Sequence, residues 1–210
     1  MFQQMAADNG WVMTHSEDST IFNNASLANF DVIIMFQTSG MVWDNDAQRA
    51  AVQTFVHNGG GIVAIHNATD MNVEAQFPWW DQMLGMTMTQ HSAILAGTAK
   101  VADQAHPSGQ GLPQRWNRTE EWYNFNRNAR GDVHVLVTAD ETTYNPGPSA
   151  MGFDHPISWC RNFEGGRLWA TAMGHQASSY TEPLFRTHIL GGVQTAASVQ
   201  IGRASCRERV

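Results

Sequence analysis

The sequence has little charge and no apolar run long enough to span a bilayer. Charged residues make up 15% of its 210 residues, below the usual share of about 25%, which excludes a chain kept disordered by charge. No stretch approaches the roughly 20 apolar residues of a membrane-spanning helix. Nineteen acidic and twelve basic residues give a net charge of −7. This balance argues against a general binder of nucleic acid or anionic membranes, because both need a basic face.

Cysteine is also scarce, since the chain has only Cys160 and Cys206. Two cysteines provide neither a disulfide framework nor a zinc ribbon. Tryptophan and histidine are abundant, with eight and nine residues. This composition suits a site that stacks on rings and handles protons or metals, although the tryptophan frequency alone favours a tryptophan-rich core.

Apolar runs that alternate with amphipathic segments predict an α/β fold. Residues 31–36 and 61–65 are continuous apolar runs, typical of strands buried on both faces, and apolar residues at helical spacing lie between them. Strand, helix and strand with short joints form the βαβ unit of a parallel sheet. Further strands are predicted at residues 98–102, 133–138, 157–160 and 167–172, and a last helix from about 181 to 190.

Residues 1–197 are predicted to form one domain. Residues 106–130 are rich in Pro, Gly, Asn and aromatics and are predicted to form a long structured loop. The chain opens with a helical pattern and a possible short strand at 12–14, whereas such domains normally open with a central strand, so we expect the first strand to be missing. Residues 198–210 reverse the charge, with three Arg and one Glu, and are predicted to be an unstructured tail, either a disordered terminus or a non-native extension. The compartment stays open: cytoplasm, periplasm or secretion.

Polar side chains follow three of the predicted strands. They are His66 to Asp70, Asp140 with Glu141, and His175 after Gly174. Ligands bind outside the carboxyl ends of the strands in an open parallel sheet, so these groups are expected to converge. The alternative is that the histidines cap turns and point apart.

Two other segments combine acids with rings or imidazoles. Glu120 and Glu121 precede Trp122 and Tyr123, and this pattern suits a sugar site, because carboxylates accept hydroxyl hydrogen bonds and rings stack on sugar faces. A solvated acidic pair beside buried rings is the alternative. His155 follows Asp154, which either orients it for chemistry or forms a structural turn with it.

A divalent metal such as zinc is a further alternative. Three or four convergent His, Asp or Glu ligands would be needed, and the candidates are His66, His91, His155 and His175. No close His pair at helical spacing is present, so the sequence leaves the metal open.

At these residues the sequence resembles the ThuA-like (trehalose-utilisation) family, of class I glutamine amidotransferase-like fold. The order and spacing of the motifs fit across residues 1–197. The matching segments are 59–70, 77–80, 111–113, 120–123, 134–137 with 140–141, 154–159, 165–167, 174–175 and 180–183. Two motifs depart from the family pattern: Asn67 stands where Ala is usual, and Gln90 and Ser92 flank His91 where Gly and Pro are usual.

The resemblance implies a flavodoxin-like three-layer sandwich with a mostly parallel sheet that begins with a strand absent here. It also implies bacterial carbohydrate metabolism, including trehalose and oxidised keto-sugars. Glutaminase activity is not expected, because amidotransferases carry a nucleophilic Cys on the turn after a central strand. Here His66 occupies that turn, and Cys160 lies within a predicted strand.

We therefore predict a hydrolase or lyase that acts on a sugar or keto-sugar. The rival interpretation is a non-catalytic carbohydrate-binding or accessory domain of a larger secreted protein; the sequence does not give the oligomeric state. The predicted catalytic residues are His66, Glu121 and His175, and the predicted substrate-binding residues are Asp70, Tyr123, His155, Trp159 and Tyr180. His66 and His175 are expected within about 12 Å of each other, in one pocket shared with His155 and Trp159.

Overall fold

The structure is a computed structural model that describes residues 1–198. It contains five α-helices and one seven-stranded sheet within those residues. The helices are α1 (Phe2–Asn9), α2 (Asn24–Leu27), α3 (Asp46–His57), α4 (Pro78–Leu84) and α5 (Pro183–Ala196). The strands are β1 (Val32–Phe36), β2 (Gly61–Ile65), β3 (Met88–Val101), β4 (Arg115–Phe125), β5 (His134–Asp140), β6 (His155–Phe163) and β7 (Gly166–Thr171). The predicted tail lies outside the described residues from residue 199 onward.

The predicted βαβ unit is confirmed. β1 and β2 pair in parallel, and α3 connects them. Asn45 caps α3 by accepting a hydrogen bond from the Gln48 backbone, which satisfies an amide that has no partner within the helix. The turn that follows is tight, because a Cβ on Gly60 would lie 2.4 Å from the Phe55 ring.

The predicted α/β class is confirmed, but the prediction of a mostly parallel sheet is wrong, because most strand pairs are antiparallel. The strand order is β1-β2-β7-β6-β5-β3-β4, and only β1–β2 and β2–β7 are parallel among the six pairs. β6 and β7 are joined by Glu164 and Gly165, whose φ angles are 47° and 97°. A two-residue link with positive φ at both positions makes a hairpin, so the strands must be antiparallel.

The predicted loop over residues 106–130 is also wrong in its second half. Residues 115–125 form β4, which pairs with β3 along most of its length. Trp116, Arg118 and Glu120 alternate with exposed residues along β4 and are buried. Because two of these three inward residues are charged, the strand lacks the apolar alternation that marks a half-buried strand in a sequence. The strand suggested at residues 12–14 does not form.

Helices cover both faces of the sheet. Ile62 and Ala64 of β2 pack with α3 and α4, whereas Val63 and Ile65 pack with α1 and α5. Successive side chains of a strand point to opposite faces, so the continuous apolar run of β2 serves two cores. The tryptophans are mostly core residues, as the alternative interpretation of the composition held. No helix within residues 1–198 has the length and hydropathy to cross a membrane.

Candidate functional site

His66 begins the turn that follows β2, at the carboxyl end of a central parallel strand. Its φ is 53°, and its side chain is fully buried. Nδ1 lies 2.8 Å from the carbonyl oxygen of Ala172. A carbonyl only accepts hydrogen bonds, so in the neutral ring Nδ1 carries the proton and Nε2 presents a lone pair. Burial lowers the pKa of His66, although this hydrogen bond raises it in part, and the neutral form is therefore favoured.

His175 follows β7, the neighbour of β2 in the sheet. Its Nδ1 lies 3.1 Å from Nε2 of His66, far inside the 12 Å expected. The preceding residue, Gly174, has a φ of 109°, and a Cβ there would lie 2.6 Å from the Tyr180 hydroxyl. Only glycine suits this position. The side chain of His175 is 36% exposed, so solvent reaches it.

Glu121 and Tyr123 reach the same point from β4. Oε2 of Glu121 lies 2.9 Å from Nδ1 of His175 and 3.5 Å from Nε2 of His66. The hydroxyl of Tyr123 lies 3.1 Å from Nε2 of His66. Residues that are two positions apart on a strand point to the same face, so Glu121 and Tyr123 both reach the histidines. We call His66, Glu121, Tyr123 and His175 the His–Glu cluster.

The cluster combines a buried imidazole with a phenol that keeps its proton. Burial raises the pKa of Tyr123, and nearby carboxylates, Asp70 and Glu121 among them, raise it further. The phenol therefore remains protonated and donates to Nε2 of His66. This arrangement provides a proton acceptor, a proton donor and a carboxylate within one small volume, as acid–base catalysis requires.

A buried ion pair holds the backbone on which His175 stands. Oε2 of Glu120 accepts hydrogen bonds from the backbone N–H groups of Gly174 at 2.9 Å and His175 at 3.3 Å. Its Oε1 accepts from the guanidinium of Arg118 at 2.5 and 2.8 Å. Arg118 also binds Glu182 at 2.5 Å. Arg118 had no predicted role, because residues 106–130 were predicted to be a loop. The alternation along β4 places Arg118 on the same side as Glu120.

His91 lies at the rim of the cluster. Its Nδ1 is 3.6 Å from Oε1 of Glu121, and its side chain is 44% exposed. Asp70, also near His91, is half-buried; burial raises its pKa to about 6, and the nearby His91 lowers it in part. A cavity of about 480 Å³ adjoins His91, between residues 90–95 and 145–148.

The structure does not bring His155 and Trp159 into the cluster. Both are fully buried. Nε2 of His155 lies 2.7 Å from the Tyr123 carbonyl oxygen, and its Nδ1 lies 2.8 Å from Glu141. Trp159 donates to the carbonyl oxygen of Leu84 at 2.9 Å. Their polar atoms serve the sheet and its connections, so the expected shared pocket does not include them.

Tyr180 lies beneath the cluster. It donates to the carbonyl oxygen of Gly174 at 2.7 Å and lies 3.0 Å from the amide nitrogen of Gln37. Its hydroxyl is thus engaged with the His175 turn.

Cys160 lies within β6 and is fully buried, so it is not placed on the turn that amidotransferases use for their nucleophile.

Three groups of the cluster fit a divalent metal. One ligand atom each from His66, Glu121 and His175 lies within 4.8 Å of the other two. Two imidazoles and one carboxylate are the donor set of catalytic zinc sites, which leave a fourth position open. The Ala172 carbonyl already orients His66, as a neighbouring acceptor does for metal-bound histidines. Of the sequence-predicted metal candidates, His66 and His175 belong to this group within residues 1–198, whereas His91 and His155 do not.

Several solved structures share this fold, and one protein family matches the sequence. No curated protein matches the sequence. A ThuA-like protein from Bacteroides uniformis has a TM-score of 0.79 at 22% identity, with 98% of this chain and 84% of that chain covered. A ThuA-like protein from Parabacteroides merdae has a TM-score of 0.70 at 17% identity, with 99% and 85% covered. A cytoplasmic protein from Salmonella typhimurium has a TM-score of 0.69 at 13% identity, with 91% and 84% covered.

At these identities the solved structures establish the fold alone. Residues 1–196 match the ThuA family, which is described as trehalose utilisation. The resemblance that the sequence motifs indicate is therefore confirmed, and the chain belongs to the ThuA family.

Proposed function

We propose that this chain is an enzyme of carbohydrate metabolism, a hydrolase or lyase that acts on a sugar or keto-sugar of the trehalose type. The observation that carries the proposal is the convergence of His66, Glu121 and His175, from three separate segments, within 3.5 Å of one another. The family description, trehalose utilisation, supports a carbohydrate substrate. Fold alone does not fix a reaction, so the proposal depends on the cluster.

Hydrolases and lyases both need one group that takes a proton and another that gives one. The Tyr123 phenol donates a hydrogen bond to Nε2 of His66, and when it donates to a substrate oxygen instead, the lone pair on Nε2 is released to act as the base. Glu121 accepts a hydrogen bond from Nδ1–H of His175 and stabilises positive charge on that imidazole. The proton on Nε2 of the charged imidazole then passes to the departing oxygen.

As the alternative role of the same residues, we propose that His66, Glu121 and His175 hold a divalent cation such as zinc, and in that case the two histidines are ligands and not the base and the acid. A bound zinc would act as a Lewis acid and lower the pKa of its water. The protein would supply two imidazole nitrogens and one carboxylate oxygen, with the Tyr123 hydroxyl beside His66. Metal binding needs neutral imidazoles and an ionised carboxylate, so the affinity would fall with falling pH.

Thermal unfolding in the presence of zinc chloride tests the metal site. Zinc at about 100 times its dissociation constant would stabilise the fold by about 2.7 kcal/mol, seen as a rise in Tm. Glu121→Gln should abolish most of this rise, because it removes the anionic ligand. His57→Ala is the matched control, since His57 pairs with Glu164 at 2.8 Å on the surface. An equal rise in wild type and Glu121→Gln would contradict the site.

Turnover of a panel of disaccharides and their 3-keto forms, with and without zinc, tests the enzyme. Products are followed by chromatography, and glutamine hydrolysis is measured in parallel, with no activity expected. Binding of a sugar without turnover by the wild-type protein would favour the rival function, a non-catalytic carbohydrate-binding domain. Turnover that Glu121→Gln and His66→Ala retain would show that the cluster is not the reaction centre.

A further inference from the structure

A polar groove of about 620 Å³ lies beside the His–Glu cluster, and we propose that it binds a neutral, unphosphorylated sugar. Its volume falls within the range of about 300–1,000 Å³ of small-molecule sites. The inference rests on the proposed function and deepens it by naming the substrate class. The residues that carry the argument are Asn117, Arg118, Thr119, Gln176, Ser178 and Glu182.

The groove adjoins the reacting groups through the chain itself. Gln176, on one wall, directly follows His175 in sequence. On the other wall, Asn117 and Thr119 belong to β4, the strand that carries Glu121. A sugar held between these walls has one end beside the turn that positions His175.

The side chains of the groove that have no partner are neutral, and the Glu182 carboxylate, which is paired with Arg118, is the acidic group among the lining residues that the structure describes. Within residues 1–198, the side chains of Thr119, Gln176 and Ser178 form no hydrogen bond, and neither does the amide nitrogen of Asn117, whose oxygen accepts from Thr98 at 3.1 Å. Two amides and two hydroxyls provide both donors and acceptors. Sugar hydroxyls need this mixture, because each hydroxyl donates and accepts.

Among the described residues that line the groove, the one cation, Arg118, is already paired with carboxylates. The Arg118 side chain is 2% exposed and binds Glu120 and Glu182, both at 2.5 Å. Its guanidinium carbon also lies 4.3 Å from the Trp116 ring centre and 4.5 Å from that of Phe185. A phosphate would need free cationic donors, and it would instead meet the Glu182 carboxylate, which lines the groove. The groove therefore favours a neutral sugar over its phosphate ester.

Titration calorimetry with trehalose, maltose and the 6-phosphate of each tests this selectivity. We expect wild-type protein to bind at least one neutral disaccharide at least tenfold more tightly than its phosphate. Glu182→Gln removes one of the two carboxylates on Arg118, so the preference should fall by about tenfold. Asn117→Ala and Gln176→Ala should weaken binding of the neutral sugar by about fivefold to tenfold, the loss of one hydrogen bond. Asn162→Ala, an exposed strand asparagine on β6 outside the groove, should leave binding unchanged.

The outcomes separate this inference from the proposed function. Binding of the neutral sugar without turnover supports the groove and contradicts the enzyme. Equal or tighter binding of the phosphate by wild type overturns the groove's selectivity, whatever the turnover. Absence of binding by every sugar in the panel overturns the inference, as does binding that Asn117→Ala and Gln176→Ala do not change.

Discussion

Histidines in two regions of this molecule have opposite surroundings. In the His–Glu cluster, His66 and His175 meet a carboxylate and a phenol at an edge open to solvent. In a second region, which we call the buried histidine pair, His106 and His188 lie inside the protein between the sheet and α5. His188 bonds the carbonyl oxygen of Ser108 at 2.7 Å and the hydroxyl of Ser158 at 3.1 Å.

The two regions differ in what surrounds each imidazole. Burial lowers the pKa of His188 to about 3 and that of His106 to about 4, so both remain neutral and serve as hydrogen-bonding parts of the core. His66 is just as buried, but its Nε2 lies beside the Tyr123 hydroxyl, Glu121 and the partly exposed His175. Charge partners and solvent access, more than burial, separate the two regions.

The sharpest test of this comparison is His175→Ala. Loss of a positioned acid–base group lowers kcat/KM by about 100- to 10,000-fold, or roughly 3–5 kcal/mol of barrier. Tm should change little, since the side chain is 36% exposed. Steady-state kinetics and thermal unfolding measure the two effects, and surface His57→Ala is the control. A large fall in Tm with unchanged kinetics in the folded fraction would reverse the assignment.

His188→Ala should show the opposite pattern. Removal of the ring leaves a cavity and an unpaired carbonyl, so the free energy of unfolding falls by about 3 kcal/mol. Urea unfolding measures this loss, and kcat/KM at low temperature should stay within about twofold of wild type. If the variant keeps its stability and loses activity, the buried pair belongs to the function.

The pH dependence of stability gives the smallest effect. His188 binds a proton in the unfolded chain below its ordinary pKa of 6.5 and in the folded protein only near pH 3. Its contribution to stability is complete above pH 6.5 and is lost as the pH falls, by about 1.4 kcal/mol per pH unit. Burial raises the pKa of Asp70 and Asp81 to about 6, so these two residues increase the stability as the pH falls. Because their effect opposes that of His188, the contribution of His188 must be measured by comparing the wild type with a variant.

The variant His188→Gln isolates the contribution of His188 to the pH dependence of stability. The difference in unfolding free energy between wild type and His188→Gln should shrink steadily from pH 6.5 to pH 4.5, because only the wild type loses the histidine contribution. Urea unfolding at each pH supplies the values. A difference that stays constant over this range would show that His188 is not kept neutral by burial.

Several parts of the fold follow from local sequence pattern. The runs that became β1 and β2, the α3 stripe between them, and α5 behind Pro183 each carry their own periodicity or start signal. The direction of the other strands did not follow, because an apolar run marks burial and carries no direction. The two-residue link at Glu164 and Gly165 was the signal for an antiparallel pair.

The candidate site divides in the same way. His66 and His175 were predictable because each lies in the segment that follows a predicted strand, and Glu121 because it stands beside rings. His155 also stands beside an acidic residue in the sequence, yet its ring contacts the backbone carbonyl oxygen of Tyr123 and not the cluster. No pattern along the chain separates a histidine that faces the cluster from one that faces the strand behind it.

The sequence by itself determined the family, the βαβ unit and the residue types available for chemistry, because motif spacing and periodicity are local properties of the chain. Only the tertiary structure decided that β4 crosses to the ends of β2 and β7. That crossing places Glu121 and Tyr123 against His66 and His175 and buries Arg118 between Glu120 and Glu182. Contacts between residues more than fifty positions apart depend on strand order and register, which no local pattern specifies.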